Sequence, residues 1–359
     1  MEFCSAEYDG ELRVFLVRLI ALGYQVRVCI LNAAFYGDPQ SRARVFIFAM
    51  QRGFSLPQPP PPTHGCHGFS PKTPGCVRGF LEAAAIHPSG CGMEVRPATG
   101  DANLRPVHTM ADALSDLAAP TLCLSPEVKD ERVAYSNRRP TTFQQQLRRN
   151  MVGPRAAGPL HHVLRRTSRL QQKPAWTAPA NTVCCTLKMA HPQRPNSALS
   201  SRERMRLMSL PDDFELPLPG SLGQGHWTFP RYLAAVDRCT GNAVPIALGR
   251  AVAGQFWRAV HAHDSRHPTA LAARSNGGAG RRRPRAPARG GAGCGCADDD
   301  VDREGFWPSC AIEQDAMAAA AFRRNMPSAL VYQGTIDAIF GRMIQRFGAL
   351  VNAPMVLVD

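Results

Sequence analysis

A chain of 359 residues is long enough for one large or two medium domains with a sizeable core, and 44% hydrophobic against 19% charged residues fits a soluble globular protein with some irregular stretches. The formal net charge of +14, with a pI of 9.6, favours a polyanionic partner, nucleic acid or an anionic membrane surface, although free use of arginine by a GC-rich genome gives the same excess. No apolar run reaches the ~18 residues of a membrane span, Met1–Gly10 lacks the apolar core of a signal peptide, and twelve scattered cysteines without a CxxC pair suggest reduced thiols rather than a zinc site or a disulfide framework.

In chain order, Glu11–Leu22 has the broad apolar face of a helix, which Gly23-Tyr24 ends. Gln25–Leu31 alternates as a strand, with Val26, Val28 and Ile30 on one side. A loop over Asn32–Arg42 leads to a second strand, Arg44–Met50. Helix, strand, loop and strand belong to an α/β or α+β core. Ser55–Thr63 (SLPQPPPPT) is an extended exit linker, because proline lacks the amide donor and fixes φ. Residues 64–180 are irregular, rich in Pro, Gly, His and Arg, with helical character only over Met110–Leu117 and Thr142–Arg149.

Further on, Ser200–Met208 is a helix with a serine cap and an acid close behind, broken by the turn at Pro211-Asp212-Asp213. Ile246–Val260 is a longer amphipathic helix. His261–Gly293, with Arg281-Arg282-Arg283, reads as a disordered basic linker. Order returns from Gly305: a short strand Ser309–Glu313, a helix Asp315–Arg324, and a buried strand Met355–Val358. His64, His67, His161 and His162 lack a metal-ligand pattern and are expected at the surface.

Leu22–Ala49 (LGYQVRVCILNAAFYGDPQSRARVFIFA), with Tyr36-Gly37-Asp38-Pro39-Gln40-Ser41-Arg42-Ala43-Arg44 at its centre, resembles the eighth conserved block of DNA cytosine-5 methyltransferases. That family usually has a small apolar residue in place of Asp38. Val107–Leu117 resembles the opening of the family's target-recognition region, and Ala180–Phe214 its ninth block. Gly241-Asn242-Ala243-Val244-Pro245 resembles the tenth. Gly305–Asp337 resembles the second and third blocks, with Gly293-Cys294-Gly295-Cys296 in the place of the first, glycine-rich one. The order is therefore eighth to tenth, then first to third. The fourth and sixth blocks, with the Pro-Cys-Gln nucleophile and the Glu-Asn-Val acid, are absent. Circular permutation, two tandem genes cut across their junction, or a gene model with lost exons would each give this order.

The resemblance implies chemistry residue by residue. Arg42 and Arg44 would face a flipped cytosine, with Gln40 supporting their loop; binding phosphate or solvating a hairpin is the plainer alternative for both arginines. A planar guanidinium suits a carbonyl oxygen and stays charged at working pH. S-adenosylmethionine would be the cofactor. Glu313, with Gln314 beside it, would meet its ribose, as acids at strand ends do in Rossmann-like sheets. Thr335 stands where the family usually has the acid that holds the adenine amino group. Asn242 and Val244 would close over the cofactor, although Gly-Asn ahead of Pro245 also reads as ordinary helix capping. Gly293 and Gly295 are either points of close backbone approach or linker glycines. Glu203 and Arg202 would organise the base of the recognition region. No metal site is implied, and no cysteine can be assigned as nucleophile.

The expected fold is α/β: a Rossmann-like S-adenosylmethionine-dependent methyltransferase core with an inserted loop-rich target-recognition domain. Residues 1–56 form the C-terminal part of the catalytic core, 57–180 the recognition region, 181–262 the return to the core, 263–292 the basic linker, and 293–359 the cofactor-binding segment. The expected function is DNA cytosine-5 methylation, incomplete in this chain alone. The alternatives are a non-catalytic DNA-binding or regulatory relative and a transfer-RNA cytosine-5 methyltransferase. The partners implied are double-stranded DNA and a complementary methyltransferase chain or domain, with no membrane; the compartment is the nucleus in a eukaryote and otherwise the cytoplasm.

Overall fold

The computed structural model describes residues 9–65, 92–98, 101–117, 132–133, 135, 139–148, 157–159, 174–185, 189–194, 198–217, 222, 227–266, 310–327 and 329–335. Helix α1 (Asp9–Ala21) ends at Gly23, whose φ of 88° suits a residue without Cβ. Strand β1 (Tyr24–Asn32) then pairs antiparallel with β2 (Ala43–Gln51), in register from Tyr24↔Gln51 to Asn32↔Ala43. On its other side β1 takes the short parallel strand β3 (Gly92–Glu94). The order β2-β1-β3 puts the most buried strand in the middle.

Period-two alternation divides β1 between two layers. Val26 and Val28 face Leu16, Leu19 and Ile20 of α1, with Val45, Ile47 and Ala49 of β2 beside them. Cys29 and Leu31 face the opposite way, against Leu248, Ala251, Val252 and Phe256. The rings of Phe48 and Phe256 stack there at 5.3 Å, worth about 1 kcal/mol beyond their buried area. Val14, Phe15 and Val17 on the far side of α1 are exposed.

The proline-rich exit is irregular, as expected, and it is tied down. Arg27 Nη1 donates to Pro57 O at 2.6 Å, Tyr36 Oη to Pro60 O at 2.9 Å, and Gln25 Nε2 to Phe54 O at 2.9 Å. Beyond it come α2 (Met110–Leu114), opened by a Thr109/Asp112 capping box, and α3 (Thr142–Arg148). Two short antiparallel strands, β4 (Arg132–Val133) and β5 (Ala157–Pro159), belong to the same region.

Helix α4 (Ser201–Leu207) has the expected cap: Ser200 Oγ accepts from Glu203 N, and the Glu203 carboxylate accepts from Ser200 N. All seven of its residues are buried, three arginines and a glutamate included. Two corrections follow. Asp212 is more than a turn residue: it is fully buried, accepting from Arg206 Nε at 2.9 Å and from Tyr135 Oη at 2.8 Å. Gly241-Asn242 does not begin a helix but ends one, α5 (Phe229–Asn242); Phe229, Tyr232, Leu233 and Val236 recur at helical spacing there, but the proline at its first turn concealed it. After a short turn, α6 runs from Ile246 to Arg266, into the segment expected as linker. The principal core gathers α2, α3, α4 and α5 around Met110, Leu114, Met205, Leu207, Tyr232 and Val236.

Near the end of the chain, β6 (Cys310–Glu313), α7 (Ala316–Asn325) and β7 (Leu330–Gln333) form a parallel βαβ unit. Asp315 caps α7 by accepting from Met317 N and Ala318 N. Met317 is completely buried and belongs to the principal core. Asn325 exchanges two hydrogen bonds with the backbone of Glu215, and Arg324 pairs with its carboxylate. The expected strand Met355–Val358 lies outside the described residues.

Candidate active site

The site is built around the loop between β1 and β2. A 3-10 turn, Ala33–Tyr36, carries the chain out of β1, and Asn32 staples the loop shut: its Oδ1 accepts from Ala34 N and Arg42 N, and its Nδ2 donates to Ser41 Oγ. Gly37 reverses the chain at φ 103°, and a Cβ there would sit 2.9 Å from the His64 ring. No other residue type satisfies both conditions. His64 is itself buried, contrary to its expected surface position; burial and then the Arg105 charge push its pKa down to about 4. His67, His161 and His162 lie outside the described residues.

Gln40 and Arg42 point inwards. Gln40 Nε2 donates to Leu207 O at 2.6 Å, and its Oε1 accepts from Val183 N. The loop backbone pairs with the segment that leads into Val183, Ser41 N donating to Ala180 O at 2.7 Å and Ala180 N to Pro39 O at 2.9 Å. Arg42 is fully buried, and its terminal nitrogens donate to Val183 O at 2.7 Å and Gly241 O at 2.5 Å. Burial, and then the neighbouring Arg44 charge, lower its pKa to about 9. Three stretches distant in sequence thus meet at one guanidinium: the loop, the Ala180–Cys185 segment and the end of α5. Gly241 is required at that junction, because a Cβ would come within 2.3 Å of Cys185 N. Arg44, at the start of β2, is half-buried and donates to Ala43 O at 2.8 Å.

The residues expected around the cofactor fall into two groups that approach each other. Glu313 and Thr335 stand at the C-terminal ends of the parallel strands β6 and β7, joined by Gly334 N donating to Glu313 O at 3.0 Å. Glu313 Oε1 accepts from Asp315 N at 2.8 Å, and Gln314 beside it is exposed. Arg238 Nε donates to Asp315 Oδ2 at 3.1 Å, and Cys239 Sγ lies 3.9 Å from Asp315 Oδ1. The Glu313–Asp315 turn therefore rests on the last turns of α5, and Asn242, exposed, follows Cys239 by about one helical turn. Val244 is half-buried in the turn between α5 and α6. Gly293 and Gly295 lie outside the described residues.

Below this floor, a buried charge network joins the recognition region to α4. Arg206 pairs with Asp212 and with Asp116, all three fully buried, and Arg148 reaches Asp116 at 2.8 Å while its guanidinium lies 3.7 Å over the Tyr135 ring. Arg202, also fully buried, donates to Pro211 O and Phe214 O, and Glu203 pairs with Arg194. The sequence reading missed Asp38, Ser209 and the Arg238–Asp315 contact; for Asp38 the signal was an acid in a position where an apolar residue is usual.

Burial pushes the Cys29 and Cys239 thiols up to about 12, Asp315 adding to the effect at Cys239. Cys184 and Cys185 are half-buried free thiols. Among the described residues no group of three His, Cys, Asp or Glu could hold a metal ion, and no helix is long and apolar enough to cross a membrane.

Comparison with known proteins gives one family model, described as C-5 cytosine-specific DNA methylase, which matches residues 3–258. DNA (cytosine-5)-methyltransferase 1A of Oryza sativa subsp. japonica is 45% identical over 62 residues, 17% of this chain and 4% of that protein. DNA (cytosine-5)-methyltransferase CMT2 of the same plant is 34% identical over 147 residues, 40% of this chain and 10% of that protein. Type II methylase M.HgiDII of Herpetosiphon aurantiacus is 25% identical over 261 residues, 68% of this chain and 58% of that protein. The matched stretches thus span from 4% to 58% of these relatives.

Proposed function

The chain belongs to the C-5 cytosine-specific DNA methylase family, and from that premise we propose that it acts as a DNA cytosine-5 methyltransferase, on a cytosine flipped out of double-stranded DNA. The observation that carries the reading is the junction at Arg42, where three segments from within the matched stretch are locked together.

Cytosine C5 is a weak nucleophile until a thiolate adds to C6 and makes C5 enamine-like, and both faces are reachable only when the base leaves the duplex. Arg44 donates to the oxygen of the flipped base, where negative charge develops. Gln40 and Arg42 act behind it by holding the loop, since the Gln40 amide and the two terminal nitrogens of Arg42 are engaged with Leu207, Val183 and Gly241. S-adenosylmethionine, when bound, supplies the methyl group. The donor set suits that cofactor: Glu313 has one carboxylate oxygen on Asp315 N and a second to accept from ribose hydroxyls. Thr335 and Gln314 offer polar groups beside it, and Asn242 and Val244 close the opposite side. The core is Rossmann-like with an inserted recognition domain, and in a eukaryotic cell the protein works in the nucleus.

The attacking thiol is not assigned among the twelve cysteines, so a complementary methyltransferase segment or chain belongs to the proposal. A second reading, a non-catalytic relative that binds DNA or supports an active enzyme, is favoured by the lack of a Pro-Cys-Gln setting around any of the twelve cysteines. Calorimetry of S-adenosylmethionine on the purified chain tests the first reading. Wild type should bind, and Glu313→Ala should bind at least about tenfold more weakly for loss of a charge-assisted hydrogen bond. Absence of binding would sink it. Methyl transfer to a cytosine-containing duplex by the chain alone would sink the second.

A further inference from the structure

Asp38 is completely buried in the loop that carries Gln40 and Arg42, yet every hydrogen bond its carboxylate accepts comes from a distant segment. Its Oδ1 accepts from Ser209 Oγ at 2.6 Å and from Ala247 N at 3.2 Å, and its Oδ2 accepts from Leu248 N at 3.0 Å. Ala247 and Leu248 belong to the first turn of α6, whose amides have no partner within the helix. Val244 and Pro245, just before that turn, have no side-chain acceptor for them. Ile246 N is taken by Met208 O at 3.1 Å. The N-terminus of α6 is thus capped wholly by residues far away in sequence. Ser209 adopts a φ of 58° at that spot, a conformation non-glycine residues seldom hold.

Four residues along the same loop, Arg42 donates to Gly241 O in the last turn of α5. A carboxylate therefore sits at the N-terminal end of one helix and a guanidinium at the C-terminal end of the other, each with the sign that its helix dipole favours. Between the two lies only the Asn242–Pro245 turn. We infer that Asp38 is a positioning residue: with Arg42 it clamps the Asn242–Pro245 turn from both sides, and protonation of Asp38 loosens that clamp and weakens S-adenosylmethionine binding. The cofactor half of this inference rests on the function proposed above.

The carboxylate is poised to change state. Desolvation raises its pKa to about 7, against the hydrogen bonds from Ser209, Leu248 and Ala247 and the charge of Arg250, which lower it. The charged groups around it are Arg250 on α6 and Arg42 on its own loop. His64, packed on Gly37, has a pKa near 4 and stays uncharged in the neutral range. In the ionised form Asp38 accepts all three bonds. Once protonated on Oδ1 it becomes a donor to Ser209 Oγ, keeps Leu248 N on Oδ2, and holds Ala247 N only weakly, because a hydroxyl oxygen is a poorer acceptor than a carboxylate oxygen.

The first test needs no variant. In the intact chain, the carboxyl carbon of Asp38 and the amide of Ala247 are followed by NMR from pH 5.5 to 8.5. The inference requires both to titrate with one midpoint near 7; an Ala247 amide indifferent to the Asp38 transition overturns it. The second test is S-adenosylmethionine binding at pH 6 and pH 8. Wild type should bind up to about tenfold more tightly at pH 8, the ratio of ionised fractions for a group titrating near 7, whereas Asp38→Asn should bind weakly and equally at both. A pH dependence that survives in Asp38→Asn overturns the link to the cofactor. No binding by wild type at either pH removes the cofactor reading itself, and the Ala247 titration then still decides whether Asp38 holds the turn.

Discussion

The Gly37–Arg44 loop and the α4 segment from Ser200 to Asp212 both bury arginine completely, and they do so by opposite means. Arg206 lies between two carboxylates, Asp212 and Asp116; burial pulls its pKa down, but the paired charges outweigh burial and raise it. Arg42 has no carboxylate partner and is held by two backbone carbonyls, so burial wins and its pKa falls to about 9. A buried charge pair resists the removal of either member, because the survivor is left ionised in a medium of low polarity. A buried arginine on carbonyls is weaker as an anchor. It is better suited to join backbone segments that carry no acidic side chain.

Breaking the α4 network gives the largest expected effect. Asp212→Leu, or Asp116→Leu, should lower stability by about 3–5 kcal/mol in urea unfolding. Replacing Asp116, Arg206 and Asp212 together by apolar residues of similar volume should restore much of that loss. Next, Arg42→Met, which leaves the Val183 and Gly241 carbonyls unpaired, should cost about 2–3 kcal/mol by the same assay. Gly241→Ala should cost about 1–3 kcal/mol by pushing α5 off the Cys184-Cys185 backbone. The smallest effect belongs to the docking of the β6-α7-β7 unit. Arg324 and Glu215 are both more than a third exposed, so Arg324→Ala should cost under about 1 kcal/mol, and less in high salt.

The two regions also respond to pH with opposite sign. Asp212 has a pKa below its ordinary 3.8, because Arg206 and then Arg202 and Tyr135 outweigh its desolvation. Its contribution to stability is present above about pH 4 and is lost as pH falls through the folded value. Asp38 has a pKa raised from 3.8 to about 7. Its contribution is complete below pH 4 and is lost as pH rises through 7. The stability of wild type relative to Asp38→Asn should therefore decline from pH 4 to pH 8. An identical slope in the two proteins would contradict the buried, raised carboxylate.

Much of the local structure was legible because it is written in near neighbours. The apolar period of α1, the alternation of β1 and β2, the Ser200/Glu203 capping box and the Asp315 cap each involve residues within a few positions of one another. The proline run predicted an extended exit for the same reason. Helix α5 was less visible, with Pro230 in its first turn and Gly241 in its last, both poor helix formers by propensity. Its burial against α4 and α7 supplies what local preference withholds.

The candidate site divides along the same line. The motif Gln-x-Arg-x-Arg named the loop, and the strand-end acid named Glu313. Neither could say that Arg42 turns inwards to Gly241 while Arg44 stays half-buried on β2. Asp38, Ser209 and the first turn of α6 were three unrelated features along the chain, and Asp212 read as a turn. By itself the sequence determined which segments become helix or strand and which residue types are available for chemistry, because those depend on local backbone sterics and side-chain period. Only the tertiary structure decided which charges are buried and with whom, because desolvation and pairing depend on neighbours brought together from as far as 210 residues apart.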